Sequence, residues 1–130
     1  MKTGKQYLIP RILIGLMGLV MLAATLPAYA NPAMNPGLIN LVDPALSLGE
    51  TAGAFLGRQL TVILVALIGA VTGLRHMVIM GGFGMAFMNG HDAIFMGLLG
   101  GSDFRVAAIA GLVFAILGVV SIVLVLRKSE

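Results

Sequence analysis

The side chains that could do chemistry are few, and their spacing limits what they could do. His91 and Asp92 are sequence neighbours, so on a helix they point about 100° apart and form no relay. Beyond residue 30 the chain offers Ser47, Ser102, Ser121 and Ser129, two histidines, and no tyrosine, cysteine or tryptophan. A hydrolytic centre needs a nucleophile, a base and an orienting group within reach of one another. No such set is legible here, and Asn89-Gly90-His91-Asp92 reads as a polar turn at a membrane edge. Met77, Met80, Met85, Met88 and Met96 cluster around His76 and His91. Thioethers and imidazoles suit Cu(I), but methionine is also a flexible packing residue, and no methionine pair stands in a polar segment. The expectation is a chain with no catalytic residues, no metal site and no enzymatic activity.

The elements that position these residues must live in lipid. Of 130 residues, 59% are hydrophobic and 10% charged, against about 25% charged in ordinary globular domains. The mean hydropathy is +1.07 and the pI about 9.8. The basic excess is not a nucleic-acid footprint. Lys2, Lys5 and Arg11 lie at the extreme N-terminus, and beyond residue 30 Arg58, Arg75, Arg105, Arg127 and Lys128 balance Asp43, Glu50, Asp92, Asp103 and Glu130. No phosphate-binding patch remains, so no nucleic-acid binding is expected of the isolated chain. With no cysteine there is neither a disulfide framework nor a thiolate.

Residues 1–30 have the layout of an export leader. A basic start, MKTGKQYLIPR, precedes the apolar run ILIGLMGLVMLAATL and the helix breaker Pro27. Ala28-Tyr29-Ala30 then supplies the small-x-small pattern that a signal peptidase accepts, and the polar NPAMNPG follows. Processing between Ala30 and Asn31 is expected, leaving an extracytoplasmic arm over 31–43 and a helical membrane domain over 44–130.

Within that domain, Asp43-Pro44 is a helix start, and the spacing predicts a short amphipathic helix from Pro44 toward Gly57. Residues 59–74 carry no charge, Arg75-His76 interrupt, and apolar sequence resumes to residue 88. A further apolar piece spans 93–101, and VAAIAGLVFAILGVVSIVLVL over 106–126 is long enough, at about 31 Å, to cross the hydrocarbon core. The fold class expected is an all-α membrane protein: a cleaved leader, a short amphipathic helix and a helical hairpin whose first span uses some register of residues 59–88, such as 64–88. The alternative is three transmembrane helices, 59–74, 77–101 and 106–126. The distribution of arginines favours the three spans, whereas the cost of placing Asn89, His91 and Asp92 in lipid favours the hairpin.

Small residues recur at helical spacing: Gly69 with Gly73, Gly97 with Gly101, and the stripe Ala107, Gly111, Ala115 and Gly118. Such spacing lets helices approach closely in lipid. More such faces exist than one hairpin needs, which predicts self-association. Arg75, with His76 beside it, falls near mid-span in the hairpin, where it faces a lipid phosphate or a water-filled lumen; alternatively it marks a membrane edge. An ion-rotor hairpin needs a carboxylate within a span, and 106–126 has none.

The order of these pieces resembles the pilins of conjugative, type IV secretion systems. The resemblance rests on the leader ending at Ala28-Tyr29-Ala30, the glycine-rich QLTVILVALIGAVTGLRHMVIMGGFGMAFM, the polar NGHD, and the second apolar helix 106–126. It covers nearly the whole chain as a pattern, without a diagnostic motif. It implies a subunit stored in the inner membrane and assembled into a helical filament with bound phospholipid. The implied partners are copies of itself, membrane lipid and the assembly proteins of the secretion system. A small integral inner-membrane subunit or channel component of a transfer complex is the other expectation.

Overall fold

A computed structural model describes residues 7–35, 37, 38 and 50–128. Among them are four α-helices: α1 (Leu8–Thr25), α2 (Glu50–Thr72), α3 (Arg75–Leu99) and α4 (Arg105–Arg127). Short 3-10 turns at Leu26–Tyr29, Pro32–Met34 and Ser102–Phe104 join or cap them. The fold is all-α, and no strand occurs among the described residues. Leu8–Tyr29, Ala52–Thr72 and Arg105–Arg127 are each long and apolar enough to cross a membrane.

Neighbouring helices run antiparallel. Arg11 near the start of α1 meets Ala70 and Val71 at the end of α2, while Thr25 at the end of α1 meets Gln59 near the start of α2. The α3–α4 contact is the longest; α1 closes the bundle against α2 and, less extensively, α4. The core holds Ile14, Met17 and Met21 of α1, Ile63 and Ala66 of α2, Val78, Met85 and Met88 of α3, and Val125 of α4. The apolar leader run is thus part of the bundle rather than a detached tail. Outward faces stay apolar, as at Val71, Phe87, Leu98, Ile109 and Ile116, which is the pattern of helices solvated by lipid.

Two expectations change. The single helix proposed over 64–88 is broken: α2 ends at Thr72 and α3 starts at Arg75. Gly73 takes φ +65°, a conformation open to glycine at little cost, and its N–H donates to the Gly69 carbonyl at 2.9 Å. That is the one-bond glycine stop for a helix C-terminus. The helix boundaries therefore divide 59–126 into three segments rather than two, although α3, the middle one, is not among the helices apolar enough to cross a membrane. The turn expected at Asn89-Gly90-His91-Asp92 is instead the interior of α3. Turn propensity loses here because α3 has helices on both sides, Asn89 bonds the Met85 carbonyl one turn back and Asp92 pairs with Arg58 of α2.

The start of the short amphipathic helix at Pro44 lies outside the described residues; its described portion, 50–57, is continuous with α2 rather than a separate element. Beside it, Leu38 is buried with Ala28, Ala52 and Leu56 in a small second core, which ties the segment after α1 to the start of α2.

Candidate functional site

Two polar regions stand out from the apolar body, one at each end of the bundle. The first is a basic end. The antiparallel arrangement gathers Arg11, Arg75, His76, Arg127 and Lys128 where α1 and α3 begin and α2 and α4 finish. Arg11 donates from Nε to the Ala70 carbonyl at 2.7 Å and from Nη2 to the Val71 carbonyl at 3.0 Å. These carbonyls belong to the last turn of α2, which has no helical N–H partners of its own and carries the negative end of the helix dipole. Arg75 and His76 are exposed in the first turn of α3. The break at Gly73 thus puts Arg75 at an end of the bundle, not at mid-span.

The second is a polar layer toward the opposite end. Arg58 Nη2 lies 2.9 Å from Asp92 Oδ2, and His91 Nδ1 lies 3.2 Å from Asp92 Oδ1, so the adjacent pair, expected to diverge on a helix, meets through its side chains. Gln59 Oε1 accepts from Thr25 Oγ1 at 3.1 Å and from Asn35 Nδ2 at 2.9 Å. Asn89 Nδ2 donates to the Met85 carbonyl at 2.8 Å, with the Met21 thioether 3.6 Å away. At 1.5 Å per residue, Arg58, Thr25, Asn89 and Asp92 lie about 21–25 Å from the basic end. In a hydrocarbon layer about 30 Å thick this is the outer third, where ionised groups need partners. Among the described residues no buried side-chain polar atom lacks one.

Aromatic rings extend this layer along the outer face of α3. Phe83, Phe87, His91 and Phe95 recur every four residues with successive ring centroids 5.9, 6.2 and 4.5 Å apart. The Arg58 guanidinium stacks over Phe55 at 5.0 Å, a cation–π contact that supplements its ion pair. A cavity of about 230 Å³ lies behind Asp92, with Thr25, Gln59 and Asn89 on its polar side and Val20, Ala107 and Phe114 on its apolar side.

This arrangement ties helices together, with the Arg58–Asp92 pair joining α2 to α3 and Gln59 joining α2 to Thr25 of α1. The buried Ser121 hydroxyl donates to the Leu117 carbonyl one turn back at 2.9 Å. Among the described residues no group of three or more His, Asp or Glu side chains converges as a metal site would require.

The small residues fall into distinct roles. A Cβ on Gly118 would meet the Gly82 carbonyl oxygen at 2.7 Å, and one on Gly111 the Asn89 carbonyl oxygen at 2.8 Å. Ala115 faces Gly90. The stripe from Ala107 to Gly118 is therefore largely occupied within the chain, against α3. Gly69 is similarly in close contact, with the Met77 backbone at 2.7 Å. Gly73 is a helix stop rather than a packing residue. Gly97 has only an ordinary contact at 3.9 Å, and Gly101 has nothing within 4 Å. The pairing of Arg58 with Asp92 and the seats at Gly18, Gly81 and Gly82 were not legible as sites. A signal existed for the first: a basic residue on one apolar helix and an acidic one on another invite pairing in lipid.

At the expected processing site, Ala28 is fully buried while Tyr29, Ala30 and Asn31 are exposed. Comparisons with protein-family models, curated proteins and solved structures find no match.

Proposed function

We propose that this chain is the precursor of a non-catalytic, self-assembling membrane subunit of pilin type, serving a conjugative or type IV secretion system. The observation that carries the reading is how α1 sits. It fills a helix-sized groove on α2, α3 and α4 and leads through the 3-10 turn Leu26–Tyr29 to Ala28-Tyr29-Ala30, whose last two residues are exposed. Export and cleavage after Ala30 remove α1 and leave a three-helix protomer with that groove open. The small-residue seams at Gly69, Gly111 and Gly118 make the protomer rigid, and its apolar outer faces suit storage in an inner membrane, in contact with phospholipid, before assembly.

Charge supports one orientation. The basic end lies on the cytoplasmic side, following the positive-inside tendency, and the polar layer lies toward the outside. Mass spectrometry of material sheared from cells tests the proposal: filaments containing the 31–130 chain support it, and surface material without that chain counts against it.

The hydrogen bonds of Arg11 to Ala70 and Val71 favour a second reading, a permanent integral subunit of a transfer complex that keeps α1. A membrane-bound chain whose intact mass still includes Met1 would select it.

A further inference from the structure

The structure assigns the described residues of 28–38 a guarding role. Once they close on α2, the Ala30–Asn31 bond is shielded from signal peptidase, so cleavage must come before the bundle closes. The inference rests on the processing proposed above and sets its order relative to folding.

A peptidase that reads small side chains at 28 and 30 needs both on one side of an extended segment, where side chains two apart point the same way. The folded chain holds this stretch otherwise. Leu26–Tyr29 is a 3-10 turn, and Ala30 continues it with φ −86° and ψ −39°. At three residues per turn, side chains two apart point about 120° apart, and Ala28 is fully buried while Ala30 is exposed. The scissile amide is itself engaged. Its N–H, on Asn31, donates to the Pro27 carbonyl at 3.0 Å, and the Ala30 N–H donates to the same oxygen at 3.1 Å. Exposure of Tyr29 and Ala30 therefore does not present the bond for cutting.

Contacts with α2 hold the turn closed. Ala28 packs with Leu38, Ala52 and Leu56, all of them buried. Gln59 Oε1 accepts from Thr25, before the turn, and from Asn35, after it, so one side chain of α2 pins both flanks. Asn35 is buried, and its Oδ1 accepts from the Gly37 N–H at 2.9 Å. A Cβ on Gly37 would lie 2.8 Å from the Phe55 ring, so this stretch sits tight against α2. All of these α2 partners are made later than the bond they guard. Leu56 and Gln59 follow Ala30 by about 26–29 residues, roughly one to six seconds of synthesis at about 5–20 residues per second. In that interval residues 28–31 can be drawn out as an extended strand. Afterwards the same movement must open the second core and break both bonds to Gln59. Chains cut in time lose α1 and chains that fold first keep it, so one sequence supplies a processed and a full-length form.

Cell-free synthesis of the full chain into liposomes tests the order, with purified signal peptidase present either from the start or only after folding. Cleavage hydrolyses the Ala30–Asn31 amide, the hydroxyl of water passing to the Ala30 carbonyl and its remaining proton to the Asn31 amine. The 31–130 product is read by intact mass. Peptidase present from the start should yield it. The folded chain should be cut more slowly by about tenfold or more, because cleavage then tracks the small population of opened molecules. Gln59→Leu and Leu38→Ala leave residues 1–37 unchanged, and each should speed cutting of the folded chain several-fold while its helical circular dichroism persists. A variant that loses its helicity is set aside, and the two wild-type rates then decide alone. A folded wild-type chain cut as fast as one met during synthesis overturns the guard and leaves the processing intact. A chain cut in neither arrangement, nor as either variant, overturns the processing reading and the guard together.

Discussion

Arg11 and Ala70 are 59 residues apart in sequence, yet the guanidinium Nε of one lies 2.7 Å from the carbonyl oxygen of the other. The bond fixes the direction of α1 on α2 and places a positive charge where α2 exposes its terminal carbonyls. Arg11→Gln in the full-length chain should weaken the α1–α2 contact by about 1.5–3 kcal/mol, the usual scale for hydrogen bonds to charged groups. The thermal midpoint in detergent should fall accordingly. An unchanged midpoint would show that the contact adds nothing to the fold.

Gly73 stands beside the same guanidinium. A Cβ there would lie 2.9 Å from Arg11 Nη1, on a backbone with φ +65°. Gly73→Ala should therefore destabilise the full-length chain by about 1–2 kcal/mol from backbone conformation alone, with the side-chain clash adding to it. In the Arg11→Ala background only the backbone part should remain, a difference that paired unfolding measurements can resolve.

The α3–α4 seam separates tight glycines from loose ones. Gly118→Leu and Gly111→Leu should disrupt the protomer itself, because each new side chain meets backbone under 3 Å away. Gly101→Ala should have an effect near zero. Protease resistance in membranes distinguishes them; a protomer that stays intact with Leu at 118 would contradict the seam.

The ion pair of Arg58 with Asp92 joins α2 to α3. Asp92→Asn leaves a guanidinium without its carboxylate in a lipid-facing layer, while the double change Arg58→Met with Asp92→Leu removes both charges. The single variant should lose more stability than the double, and a double-mutant cycle read by thermal denaturation checks the order.

Orientation follows from the basic end. In intact cells, a membrane-impermeant maleimide should label Gly101→Cys and not Lys128→Cys. The reverse pattern would invert the bundle in the membrane.

Composition and the length of the apolar runs were enough to establish helices suited to lipid, because a chain with so few charges has no other way to satisfy its backbone than hydrogen bonds within each helix. The start of α4 near residue 105 and its end at the terminal basic pair were legible for the same reason. Local signals failed where a neighbouring helix decided the outcome. Asn89-Gly90-His91-Asp92 carries every mark of a turn, yet it remains helical because Arg58 pairs with Asp92 and Gly90 makes room for Ala115. Gly73 and Gly69 look alike in sequence; one stops a helix and the other receives the Met77 backbone, a difference that depends on where α3 folds back. The sequence by itself determined that this protein is helical, apolar and poor in reactive groups. Only the tertiary structure decided which small residues face α3, which polar groups meet, and that the basic residues gather at one end, since each depends on contacts between segments distant along the chain.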